Sequence, residues 1–269
     1  MVRGDAPPGA ISWDPAGGRL DPADLSGLDA VVNLAGEPIG EQRWSQGAKQ
    51  RIVTSRVRTT TLLAEGIAAA PDRPRVLLSG SGQGFYGRDR GDEVLTESSG
   101  PGDDFLARLC VDWETATRPA EAAGVRVAHL RTSLVLDRHG GVLPRMALPI
   151  KLGVGGRLGS GRQWMSWITL SDHVAAMRFL LEADVRGPVN MASPDPVTNA
   201  QLTKALGAEL HRPTVVVAPA FALRLALGRE RADNLVFASQ RLAPTVLQDA
   251  GFAFSHPALA GALESVLRG

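Results

Sequence analysis

The chain has 269 residues, enough for one large domain or for one domain with a small appended one. Its 44% hydrophobic content is that of a globular protein, and 29 basic against 28 acidic residues leave a net charge of +1, which gives no footprint for nucleic acid or an acidic membrane. One cysteine excludes an internal disulfide and the N-terminus has no apolar signal-peptide core, so a cytoplasmic protein is expected.

In chain order, the opening "MVR" reads as the end of a strand. "DAVVNLAG" reads as a buried strand running into a glycine turn. The crossover helix that follows, "SQGAKQRIVTSRVRTTTLLAEGIAAA", has Val53, Val57, Thr60, Ala64 and Ile67 at helical spacing, and Pro71 stops it. "RVLLSGSG" is the next strand, "DDFLARLCVDWETATRPAEAAG" the next helix and "VRVAHLRTSLVL" a third strand, all three strands apolar on both faces as in a helix-covered parallel sheet. Beyond Leu136 come the glycine-rich loops "DRHGG" and "LGVGGRLGSGRQW" with a short helix between them, the texture of a substrate-facing region. "SDHVAAMRFLLEAD" reads as a helix capped by Ser171 or Asp172, "GPVNMAS" as a short strand and "TNAQLTKALGAEL" as another helix. The longest apolar stretch, "VVVAPAFALRLAL", is broken by Pro219 and Arg224 and falls short of the roughly 20 residues that cross a bilayer. From His211 onward, short helical pieces alternate with prolines, which suggests a small helical lobe. His129, His139, His173, His211 and His256 are scattered, no pair has ligand spacing, and no metal site is expected.

Three segments carry a resemblance. "VVNLAGEPI" and "LLSGSGQGFYG" after successive strands, and "SWITLSDHV" after a glycine-rich loop, are similar to the matching segments of extended short-chain dehydrogenases/reductases, the nucleotide-sugar epimerase and dehydratase group. "NLAGEPI", "GSGRQWMSWI" and "LQDAGFAFSHPAL" resemble an atypical epimerase-like subgroup that carries its own C-terminal domain of unknown function. The resemblance implies an α/β fold, a Rossmann-like doubly wound parallel sheet with a small, mainly helical C-terminal substrate lobe. It implies an NAD(P)-binding part over 1–150, substrate loops and sheet-completing elements over 151–210, and a small C-terminal domain over 211–269. The cofactor would lie across the carboxyl ends of the strands, its pyrophosphate on the first helix N-terminus. The glycine motif for that helix is absent from this sequence. The expectation is therefore that a βα unit of roughly 30 residues precedes Met1. On this view Arg3 stands where the family meets the adenosine ribose, and an arginine there suits a 2′-phosphate, favouring NADP over NAD.

The same resemblance implies roles for particular residues. Asn33, Leu34, Ala35, Gly36 and Glu37 would meet the cofactor after one strand and Ser79 and Gly80 after the next; Arg131 would orient the cofactor or the substrate loop. Small residues at Ala35 and Gly36 leave room for close approach, although a strand-end "AG" is also an ordinary turn. Glu37 either contacts a ribose hydroxyl or faces solvent. Ser81 matches the serine that hydrogen-bonds the reacting oxygen and is the catalytic candidate, with the turn serine as its plain alternative. Tyr86 matches the tyrosine of the family's "YG" and reads as structural more than catalytic. Arg162, Gln163 and Trp164 occupy the loop that grips a nucleotide-sugar diphosphate, a task for which an arginine fork is suited.

One departure from the family is large. The Tyr-x-x-x-Lys pair that exchanges the proton and anchors the nicotinamide ribose is replaced by Leu106 and Cys110, counted back from Glu114. Thr169 stands where the subgroup often has histidine. Three functions therefore stay open: an NADP-linked (NAD possible) oxidoreductase or epimerase-like protein acting on a nucleotide sugar or other carbonyl compound; a non-catalytic nucleotide-binding sensor or scaffold; and a chain acting through a partner that fills an open sheet slot. No nucleic-acid or membrane partner is expected, and an oligomer is compatible with each.

Overall fold

The computed structural model describes residues 1–3 and 7–268. From the N-terminus the elements are β1 (Val2–Arg3), β2 (Ser12–Trp13), β3 (Ala30–Asn33), α1 (Gln46–Ala69), β4 (Val76–Gly82), β5 (Asp89–Leu95), α2 (Phe105–Thr115), α3 (Arg118–Ala122), β6 (Arg126–Thr132) and β7 (Leu134–Leu136). There follow α4 (Leu143–Lys151), β8 (Gly156–Leu158), β9 (Trp164–Met165), β10 (Trp167–Thr169), α5 (Leu170–Glu182), β11 (Gly187–Met191), β12 (Val197–Thr198) and α6 (Asn199–Glu209). The tail carries β13 (Val216–Ala218), α7 (Ala220–Leu227), α8 (Arg229–Leu235), β14 (Ser239–Leu242), α9 (Thr245–Asp249) and α10 (Leu259–Arg268). The principal sheet has the order β11-β6-β4-β3, and β3 lies parallel to β4 with Ala30 opposite Val76 and Asn33 opposite Ser79. Parallel neighbours joined through helices are the mark of a Rossmann-like α/β fold.

The chain forms two compact units drawn from interleaved segments: Met1–Ser81, Leu109–Leu130 and Leu180–Pro188 in the first, Gly82–Arg108, Arg131–Phe179 and Val189–Gly269 in the second. In the first, α1 starts where Ser45 Oγ accepts the Ala48 amide, and Pro71 follows its last turn. The buried stripe of α1 is Ile52, Thr59, Thr60, Leu63, Ala64 and Ile67. Val53 and Val57, expected on that stripe, are only half-buried; the two stripes converge from Thr60 onward and diverge in the first turns. Leu63, Ala64 and Ile67 meet Leu25, Val31, Leu77, Ala120, Val125 and Val127 in one core. β3 departs from the expectation of a strand buried on both faces: Val31 and Asn33 are buried, but Val32 is 43% exposed, because β3 is the edge of its sheet among the described residues.

In the second unit Leu136, Leu143, Ala147, Ile150, Trp167, Leu202, Leu206, Ala262 and Leu263 form the core. The stretch "VRVAHLRTSLVL", expected as one strand, breaks at Ser133, whose amide and hydroxyl both donate to the Met191 carbonyl. Its second half, β7, then pairs in parallel with β10. The tail is not purely helical, since β13 joins β8 and β14 joins β5. α6 carries a capping box between Thr198 and Gln201.

The cap of α5 is a correction. Neither Ser171 nor Asp172 caps it; Thr169 Oγ1 accepts the Asp172 amide at 3.1 Å. That frees the Asp172 carboxylate, 1% exposed, to accept the backbone amides of Ser255 at 2.8 Å and His256 at 2.9 Å. Two charge-assisted bonds inside the protein make Asp172 a clamp on the C-terminal segment. Asp172→Ala is expected to lower unfolding free energy by about 2–4 kcal/mol, read as a shift of the urea midpoint; a midpoint unchanged within error would remove the clamp.

Candidate functional site

In the first unit the site begins where β3 and β4 end. Val31 on β3 and Leu77 and Leu78 on β4 hold these strands in the core, and at Asn33 and Ser79 polar groups take over. Asn33, 4% exposed, donates through Nδ2 to Thr60 Oγ1 at 2.9 Å, and its Oδ1 accepts the Ala35 amide. This local bond turns the chain so that Ala35 and Gly36 follow the strand end as an open turn. The turn is held from α1: Ser55 Oγ accepts the Glu37 amide, and Arg56 Nη1 donates to the Glu37 carbonyl at 2.9 Å. A Cβ on Gly36 would lie 2.9 Å from the Arg56 guanidinium carbon. The Glu37 side chain is 29% exposed and its carboxylate is engaged by neighbours. Gln42 and then Arg51 bond its carboxylate and hold its pKa below the ordinary carboxylate value. Arg56 lies 5.1 Å from the Trp113 ring centre, and burial pulls its pKa down from the usual guanidinium value.

On β4, Ser79 is fully buried, and its hydroxyl has no hydrogen-bond partner among the described residues. Gly80 is glycine for packing: a Cβ there would lie 2.8 Å from the Trp113 ring and 3.2 Å from the Asn33 carbonyl oxygen. Trp113 in turn donates from Nε1 to the same Thr60 hydroxyl at 2.9 Å. Ser81, 7% exposed, donates its hydroxyl proton to Glu114 Oε1 at 2.7 Å. A serine whose proton is held by a carboxylate presents its lone pairs outward. Glu114 stands on α2 eight residues after Leu106 and four after Cys110, so all three share one helix face. Leu106 and Cys110 are 8% and 5% exposed.

In the second unit the remaining candidates are built into the scaffold. Tyr86 is fully buried; its hydroxyl donates to Asn190 Oδ1 at 2.7 Å and accepts from Arg131 Nη1 at 3.1 Å. Burial pushes the tyrosine pKa up, against the pull of Arg131. The Arg131 guanidinium sits 3.4 Å from the Phe85 ring centre and also donates to the Glu97 carbonyl. Gln163 is 8% exposed and donates to the carbonyls of Leu158 and Val236. Trp164 donates to Asp92 at 2.7 Å, with the Arg241 guanidinium 4.4 Å from its ring centre. In the loop "GSGRQW", Ser160 and Arg162 are exposed, Arg162 lying between Gly161 at a φ of +70° and the buried Gln163.

The structure sets Asn33, Ala35, Gly36, Gly80 and Ser81 at the ends of β3 and β4, leaves Leu34 55% exposed on the adjoining turn, and gives Tyr86, Arg131, Gln163 and Trp164 hydrogen-bond partners within the second unit. The Arg3 side chain lies outside the described residues. Sequence reasoning missed Arg56, Thr60 and Trp113, and used Glu114 only as a counting mark. A tryptophan followed by a glutamate in α2 was the one available signal.

Residues 22–192 match the profile of the NAD dependent epimerase/dehydratase family, and residues 218–266 that of a domain of unknown function, DUF1731. The chain is 45% identical over 254 residues to an epimerase family protein of Mycobacterium bovis, covering 94% of this chain and 83% of that one. The crystal structure of human epimerase family protein SDR39U1 (isoform 2) with NADPH superposes with a TM-score of 0.88 at 33% identity, over 98% of this chain and 89% of that one. A nucleoside-diphosphate sugar epimerase from Corynebacterium glutamicum superposes with a TM-score of 0.81 at 38% identity, over 99% of this chain and 52% of that one.

Proposed function

The chain belongs to the NAD-dependent epimerase/dehydratase family, and from that premise we propose that it is a nicotinamide-dinucleotide-dependent oxidoreductase or epimerase-like protein, with NADP preferred over NAD, acting on a carbonyl or hydroxyl group of a small molecule. The observation that carries the reading is the Ser81–Glu114 hydrogen bond near the carboxyl end of β4, two residues past Ser79, which pairs with Asn33 at the end of β3. Crevices outside the carboxyl ends of parallel strands are where such folds bind their ligands.

The residues present fit the adenosine side of a dinucleotide. Ala35 and Gly36 leave the turn backbone open, and Arg56 supplies a cation behind it. The NADPH held by the human relative supports the NADP preference. A bound nicotinamide dinucleotide supplies hydride exchange with the substrate carbon. The chain supplies the proton path: Ser81 Oγ accepts a substrate hydroxyl and passes its own proton to Glu114, and in the opposite direction returns it. Leu106 and Cys110 exchange nothing there, which is why the carboxylate takes the part. Arg162 is the exposed cation suited to a phosphate-bearing substrate such as a nucleotide sugar.

Titration of the chain with NADPH and NADH, followed by nicotinamide fluorescence, tests the cofactor reading. NADPH is expected to bind more tightly, and Gly36→Val, which pushes on Arg56, is expected to weaken it on the order of tenfold, about 1.4 kcal/mol. Equal affinity of both forms for NADPH would exclude the Gly36 turn from the site.

Leu106 and Cys110, both packed inside, also favour a second reading: a dinucleotide-binding sensor without turnover. A panel of carbonyl compounds separates the two, since a sensor binds NADPH without oxidising any of them.

A further inference from the structure

The stretch "VVVAPAFALRLAL", the longest apolar run of the sequence, is left uncovered by the fold. α7 contains no buried residue, and Phe221 and Leu225 on it are 74% and 80% exposed. A helix of this composition normally turns at least one stripe inward; α7 does not. The exposure continues into β13, where Val216 and Val217 are 41% and 42% exposed, and to Val215 just before it, 83% exposed. β13 runs along β8 with Val216 opposite Gly156, and Arg212 donates to the Lys151 carbonyl, so residues 212–218 lie beside 151–158. On that neighbouring segment Leu152 and Val154 are 69% and 61% exposed. The start of α7 is tied to the same ribbon, because a Cβ on Gly159 would lie 3.6 Å from the Ala220 side chain. The open side chains therefore belong to one continuous strip of the second unit.

Charge identifies the occupant. Neither residues 138–171 nor residues 210–229 contain an Asp or Glu, and Lys151, Arg157 and Arg212 are exposed along the strip, while Arg224 on α7 pairs with Asp233 at 2.7 Å. The near-neutral total of the chain conceals this segregation. A second copy would set cation against cation. An anionic lipid surface accepts both halves of the pattern, apolar side chains into the headgroup boundary and cations onto phosphates. Among the described residues no helix is long and apolar enough to cross a membrane, so the mode is one of lying on the surface. We infer that the ribbon 151–158 with 212–218, together with α7, docks the protein on an anionic bilayer, Phe221 and Leu225 entering the interface. This goes beyond the proposed oxidoreductase function and does not depend on it.

The test is co-sedimentation of the full chain with vesicles of phosphatidylcholine alone and of phosphatidylcholine mixed with phosphatidylglycerol. Binding is expected to the mixed vesicles only and to fall with added salt. Phe221→Asp with Leu225→Asp, and separately Lys151→Glu with Arg212→Glu, are each expected to lower partitioning by on the order of tenfold, with the far-ultraviolet circular dichroism unchanged. The charge pair keeps the test decisive should the α7 variant misfold. Three results would overturn the inference: no sedimentation with the mixed vesicles, binding unaltered in the charge variant, or a dimer broken by the α7 variant in place of lipid binding, which would make a second copy the occupant.

Discussion

Glu114→Gln is expected to lower NADPH-linked turnover of a carbonyl substrate by on the order of 10²- to 10⁴-fold, while NADPH affinity stays within about twofold, far less than one tenfold step of 1.4 kcal/mol. The amide keeps a carbonyl oxygen for the Ser81 hydroxyl at the position of Oε1 but cannot take up its proton. Ser81→Ala is expected to give a loss of similar size, and the double variant no more than the larger single loss, because the two groups act as one path. Steady-state rates with saturating NADPH, paired with fluorescence titration, separate this from a structural effect. If Glu114→Gln turns over as fast as the parent, the carboxylate does not hold the proton, and the cofactor site stands independently of that result.

Arg131→Met is expected to cost about 2–4 kcal/mol of unfolding free energy, from two buried neutral acceptors left without their donor. Methionine retains an apolar chain beneath Phe85 but removes the donors to Tyr86 and Glu97, both in the interior. Arg131→Lys is expected to recover only part, because an ammonium lacks the planar fork that lies flat on the ring. Equilibrium urea unfolding with a constant slope is the measurement. A loss below about 1 kcal/mol, the size of an ordinary surface change, would move Arg131 out of the scaffold and back toward the cofactor or substrate loop.

Much of the fold was legible because burial writes itself into short apolar runs. The strands ending at Asn33 and Gly82 and the long helix between them were read from periodicity and from Pro71. The break at Ser133 was not, since nothing in "LRTSLVL" marks it; it comes from a distant carbonyl, that of Met191. The α5 cap was missed by two or three positions because Thr, Ser and Asp are all good caps, and only tertiary demand on Asp172 from Ser255 and His256 decides among them. The site shows the same division. Ser81 was found from its motif, but its partner Glu114 lies 33 residues away in sequence, on another element. Tyr86 and Gln163 sat in the right motifs, and their polar atoms bond groups inside the protein, while Trp164 bonds Asp92 at the surface, partners that spacing does not encode.

Thr60 joins these levels. One oxygen on α1 receives a proton donor from the tip of β3 and another from the helix that bears Glu114, which fills its acceptor capacity. Loss of that oxygen would therefore strand two buried donors at once, the Asn33 amide and the Trp113 indole N–H, so a single hydroxyl group fixes both the strand tip and the helix.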